Sequence, residues 1–208
     1  MRMESSHDGS KSLIGFYLIL LLITVTFALE MRIGRQNTSL QPLVLSSWSW
    51  EGILGYSWLH LGFLHVIESL VTLWIFGRPV ALRLGPVLFG VLYISASWGA
   101  AVAHLLFDGR PMIGASGAVM GVLGMYVAVC YRQFGRSGPL LVCIWLGLTL
   151  GLGFVHYGYA AHMAHAGGFF TGFCLALLFM AWDRIDVNAV DAHPEVQQWV
   201  GFSVCPVK

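Results

Sequence analysis

Apolar runs long enough to cross the hydrocarbon of a bilayer as helices, about 20 residues each, recur six times along the chain. They are Leu13–Leu29, Trp58–Gly77, Leu84–Leu106, Ala115–Tyr131, Pro139–Val155 and Ala164–Trp182, the fourth and fifth on the short side. Most connections between them are brief. The exception, Glu30–Ser57, carries the stretch SSWSW at 46–50, a composition suited to the membrane–water interface, where tryptophan is favoured. The first run exceeds the apolar part of an ordinary signal peptide, and no small-x-small cleavage site follows Leu29, so it reads as a membrane helix. The predicted architecture is all-α: a polytopic six-helix membrane domain over 13–183, preceded by a short segment 1–12 and followed by a polar tail 184–208 too small to be a domain.

Composition agrees with this pattern. The 208 residues are 57% hydrophobic and 10% charged, with a mean hydropathy of +0.75. Soluble domains carry about 25% charged residues, so the expected solvent is lipid. A net charge of +1 offers no basic stripe to neutralise phosphates, which argues against a nucleic-acid partner. Cys130, Cys143, Cys174 and Cys205 form no Cys-x-x-Cys pair and read as small packing residues. Nothing in the sequence bears on oligomeric state.

The distribution of Lys and Arg sets an expected orientation. The N-terminal segment, the second and fourth connections and the tail hold Arg2, Lys11, Arg78, Arg83, Arg132, Arg136, Arg184 and Lys208. The other three connections hold Arg32, Arg35 and Arg110. Eight against three predicts both termini in the cytoplasm, as in a prokaryotic plasma membrane. Spans two, four and six would then start on the outer side. His60 and His65 lie early in the second, Ser116 opens the fourth and His165 opens the sixth. Polar groups at such depth face an interior or a wet cavity.

Ser116 sits in Gly114-Ala115-Ser116-Gly117. It reads either as an N-cap or small packing residue or as a nucleophile flanked by the free amides of a helix start. Gly114, Gly117, Gly121 and Gly124 form a small-residue stripe, and Gly168 and Gly172 a matching G-x-x-x-G. If those faces meet, His165 reaches Ser116 and can take its proton. His65 and Ser69, four residues apart, share one helix face; near a reactive serine they could hold an oxyanion, or they satisfy each other and nearby carbonyls. Histidine pairs also admit haem or metal, with His162 and His165 spaced to chelate zinc, but the acidic ligands are sparse and no cofactor is expected.

Three motifs in order, His60-Leu-Gly-Phe-Leu-His65-Val-Ile-Glu-Ser69 followed by Gly77 and Arg83-Leu84-Gly85, then Gly114-Ala-Ser116-Gly117, then Ala164-His165-Ala-Gly-Gly168 with Gly172, resemble the rhomboid intramembrane serine proteases over about Trp58–Trp182. The resemblance implies a six-helix fold that cleaves transmembrane protein substrates near the bilayer surface. Ser116 would be the nucleophile and His165 its base, without an essential aspartate, and the site would open to the outer side. His65 and the Ser116 amide would stabilise the oxyanion, with Ser69 and Gly114 beside them. The Glu30–Ser57 segment matches the family's interfacial first loop. Two positions depart from the pattern: Ser69 stands where the family usually has asparagine, and Met120 where it often has an aromatic. Losing one oxyanion donor costs about 3–4 kcal/mol in soluble enzymes. The departures keep open a weak or inactive rhomboid-like protein that binds client helices; a haem or metal-binding membrane protein is the other rival.

Overall fold

The computed structural model describes residues 13–34, 37–134, 140, 142–148, 151 and 161–182. The termini and most of the fifth predicted span, Pro139–Val155, lie outside the described residues.

The first run folds as α1 (Ile14–Ile33) and ends where Gly34 adopts φ 81°, its N–H returning to the Glu30 carbonyl. Phe16, Ile19, Ile23, Phe27 and Glu30 form its buried stripe, the i, i+3, i+4 spacing of a helix with one packed face. The interfacial segment contains a 3-10 turn (Thr38–Leu43) and a short helix α2 (Trp50–Gly55), which Ser49 caps by accepting from the Gly52 N–H at 3.1 Å. Trp48 and Trp50 are exposed.

The second span begins later than its hydrophobicity predicts. A 3-10 turn (Tyr56–Trp58) leads into an extended connection, and α3 runs over Phe63–Thr72. His60 therefore stands in the connection and not on the helix. The reason is local: Gly62 is fully extended, with φ 172° and ψ 179°, and breaks any helix before it. The end of the span also differs. Helical structure continues from α3 through a wide turn at Leu73–Gly77 into α4 (Arg78–Phe107). The two arginines that suggested a connection are absorbed by the helix, since Arg83 is buried and its Nη1 donates to the Pro79 carbonyl at 3.0 Å. A single residue breaks the path: Gly85, at φ 72° and ψ 174°, followed by Pro86. The chain reverses there, so Phe16 of α1 packs against Trp74 before the break and Phe89 after it.

The last two described helices are α5 (Ser116–Phe134) and α6 (His162–Ala181). Their glycine faces meet as the stripe predicted. A Cβ at Gly168 would overlap the Gly117 carbonyl, and one at Gly172 the Gly121 carbonyl. On the other side of α6, Gly99 of α4 lies against Thr171. Close backbone approach of this kind is what small residues allow in lipid, where burial of apolar surface no longer drives helices together. A helical piece over 142–148 adjoins α3, with the Trp145 indole N–H donating to the Thr72 hydroxyl at 3.0 Å.

Candidate active site

Ser116 is the first residue of α5, and His165 lies in the first turn of α6. The register set by Gly117 against Gly168 brings the two helix starts together, and His165 Nε2 lies 3.0 Å from Ser116 Oγ. In the neutral imidazole that can take a hydroxyl proton, Nε2 is the acceptor and Nδ1 carries the hydrogen. Nδ1 is buried and has no hydrogen-bond partner among the described residues. Among the described residues no carboxylate backs this histidine.

The loop before Ser116 is held at three points. Met112 exchanges both backbone hydrogen bonds with Leu45, at 2.9 and 3.0 Å, pinning it to the interfacial segment. The Gly114 N–H donates to the Tyr56 carbonyl at 2.8 Å. The Ala115 N–H donates to His60 Nε2 at 3.4 Å. Tyr56 is itself anchored, its hydroxyl donating to the Ser97 carbonyl of α4 at 2.7 Å. Burial raises the Tyr56 hydroxyl well above its ordinary range, so it remains a donor. In the connection ahead of α3, burial pushes the His60 imidazole down to about 3, helped by the nearby His65 and opposed by a backbone hydrogen bond at Trp58. His60 is thus neutral near pH 7 and its Nε2 is free to accept.

Gly114 adopts φ +137°, a conformation that side-chain-bearing residues rarely enter. Its missing side chain also makes room: a Cβ there would sit 2.8 Å from His65 Nε2 and 3.6 Å from Ser116 Oγ. Gly114, His65 and Ser116 therefore enclose one small volume. His65 Nδ1 accepts from the Leu61 N–H at 3.4 Å, which puts the ring proton on Nε2, the atom beside Gly114. That N–H, with the first-turn amides of α5 that have no carbonyl four residues back, forms a set of donors next to the serine.

The sequence-predicted site residues divide unequally. Ser116, His165, His65 and Gly114 come together. Ser69 is buried one turn further along α3 and makes no hydrogen bond to Ser116 or His165. Met120 is buried in the core of α5. His60, the other histidine of the first motif, accepts the Ala115 amide. Among the described residues, no three His, Cys, Asp or Glu side chains are grouped to hold a metal ion. Sequence reasoning missed Tyr56 and Glu30. Glu30 is only 2% exposed, and its carboxylate accepts the His60 N–H at 3.0 and 3.2 Å. The available signal was a lone acid closing an apolar run, which reads equally well as a solvated helix end.

The family model described as the rhomboid domain matches residues 47–182. The chain belongs to the rhomboid family. Similar proteins include rhomboid protease GluP of Bacillus subtilis, 29% identical over 81% of this chain and 35% of its own length. RHOMBOID-like protein 6, mitochondrial, of Arabidopsis thaliana is 24% identical over 71% of this chain and 52% of its own. Rhomboid-type serine protease 2 of Emericella nidulans is 29% identical over 59% and 25%. The chain spans about a third to a half of the length of the first of these curated relatives. As a rhomboid it is an integral membrane protein, and among the described residues three helical stretches, Ile14–Ile33, Phe63–Phe107 and His162–Ala181, are long and apolar enough to cross a bilayer.

Proposed function

We propose that this rhomboid is an intramembrane serine endopeptidase that cuts transmembrane segments of other membrane proteins with Ser116 and His165. The observation that carries the reading is the 3.0 Å approach of His165 Nε2 to Ser116 Oγ. A substrate helix must first unwind locally, because a helical backbone engages its carbonyls in i to i−4 hydrogen bonds. Ser116 Oγ attacks the exposed carbonyl carbon while its proton passes to His165 Nε2. Negative charge then forms on the carbonyl oxygen, beside His65 Nε2–H and the first-turn amides of α5. Collapse breaks the C–N bond, and His165 returns the proton to the leaving amine. Water deprotonated by His165 attacks the acyl-enzyme, and the serine leaves with that proton. The positive-charge bias of the connections supports cytoplasmic termini and a site open to the outer side.

A fluorophosphonate probe and a panel of single-span substrates test the reading in liposomes. The expected result is labelling and a new substrate fragment for the wild type. Both should vanish in Ser116→Ala and in His165→Ala, a fall of about 10³-fold or more. A folded wild type that neither labels nor cuts, yet retains client helices, would replace the protease by a rhomboid-like binding protein. Ser69 in place of the family's asparagine is the feature that favours this second reading.

A further inference from the structure

We propose that Glu30, at the end of α1, is a positioning residue that sets the tautomer of His65; the inference rests on the protease reading for its catalytic consequence. Glu30 lies 35 residues before His65 and on a helix that contributes no group to the reacting centre. A carboxylate this buried is retained only where donors satisfy it. Both of its oxygens face one N–H, that of His60. The next amide in the chain, Leu61 N–H, donates to His65 Nδ1. Successive amides are joined by a planar peptide unit and two torsions, so the grip on His60 limits where the Leu61 N–H can point. With that amide aimed at Nδ1, the proton of a neutral His65 must reside on Nε2. Nε2 is the atom beside Gly114 and the serine. The same grip steadies the His60 ring, which is edge-on to Phe27 of α1 and to His65 and accepts the Ala115 N–H. One carboxylate thus couples α1 to both histidines of the first motif.

The role is geometric, so length matters more than charge. Glu30→Gln keeps an oxygen at the same reach, whereas Glu30→Asp keeps the charge and withdraws it by one methylene. In full-length protein reconstituted in liposomes, with a single-span substrate that the wild type cuts, Glu30→Gln should hold kcat within about threefold. Glu30→Asp should lower kcat about thirtyfold with KM little changed, the loss expected when a catalytic donor is slightly misplaced. A second readout does not depend on proteolysis. In ¹⁵N-histidine spectra of detergent-solubilised full-length protein, with His65 assigned by difference from His65→Ala, wild type and Glu30→Gln should carry the proton on Nε2. Glu30→Asp should show averaged or Nδ1–H signals. An Asp variant with wild-type kcat, or one whose His65 tautomer is unchanged, overturns the inference. A wild type that fails to cut any substrate overturns the protease reading instead, and the tautomer comparison still decides the role of Glu30.

Discussion

Helices α1 and α6 each bury one stripe of five residues, yet they are held in opposite ways. The buried stripe of α1 is Phe16, Ile19, Ile23, Phe27 and Glu30. That of α6 is Ala164, Gly168, Gly172, Ala176 and Phe179. In the first, bulky side chains fill the space between helices; in the second, backbone meets backbone. Side chains have rotamers and can repack around a lost methyl. Two backbones in contact have no such freedom. The base of the proposed dyad rides on the helix with the least slack, three residues before Gly168, and its serine precedes by one residue the Gly117 carbonyl that Gly168 touches. The difference teaches where precision is kept in this fold. Alignment of Ser116 with His165 rests on the α5–α6 contact, whereas α1 reaches the first motif through Phe27 and the proposed Glu30 tether near its end.

The largest effect should therefore follow a bulky residue in the α5–α6 seam. Gly168→Leu places a side chain on the Gly117 carbonyl and must push the helices apart. A displacement of about 1 Å at a reacting centre already lowers rates roughly a hundredfold, and a leucine on a backbone carbonyl demands a larger one. Probe labelling of Ser116 should be lost at temperatures where the variant remains helical by circular dichroism. Labelling at the wild-type rate would break the comparison.

Next comes Gly114→Ala, which tests the site and not the seam. The added methyl meets the His65 ring, and the positive φ is unfavourable for alanine. Substrate cleavage should fall by about 10²-fold, the scale of losing one oxyanion donor, while thermal stability changes by only about 1–2 kcal/mol. A variant that unfolds as readily as Gly168→Leu would show that the loop carries more of the fold than the seam does.

Much of this arrangement was legible in sequence because apolar length and glycine spacing are one-dimensional signals. Gly117, Gly121, Gly168 and Gly172 could be matched face to face before any coordinates, and the meeting of Ser116 with His165 follows from that match. What escaped were features fixed by hydrogen bonds between distant segments. Hydrophobicity placed the start of the second span at Trp58, but Gly62 and the capture of the His60 amide by Glu30 delay the helix to Phe63. Arg78 and Arg83 read as connection residues, yet Arg83 folds back on its own helix and the reversal falls on Gly85 alone. Tyr56 carried no signal, because its part is played by a backbone carbonyl and by a hydroxyl that reaches α4.

A smaller effect is expected on α1 itself, and it sharpens the contrast because one position there imitates α6. A Cβ on Gly15 would come within 2.5 Å of the Pro86 carbonyl oxygen, so Gly15→Ala should destabilise by about 1–3 kcal/mol, as overpacking does. Leu22, by contrast, is 50% exposed on the lipid side of the same helix. Lipid tails are as apolar as leucine, so Leu22→Ala removes a side chain whose surroundings are equivalent before and after folding. Its effect on thermal unfolding in detergent should stay within about 0.5 kcal/mol, and cleavage should be unchanged. Should Leu22→Ala weaken the protein as much as Gly15→Ala does, the outer face of α1 would be packed against protein in the membrane. A loosened α1 that still cleaves at full rate, on the other hand, confines its contribution to the Glu30 end, because the rest of the helix would then be shown to pack without steering the dyad.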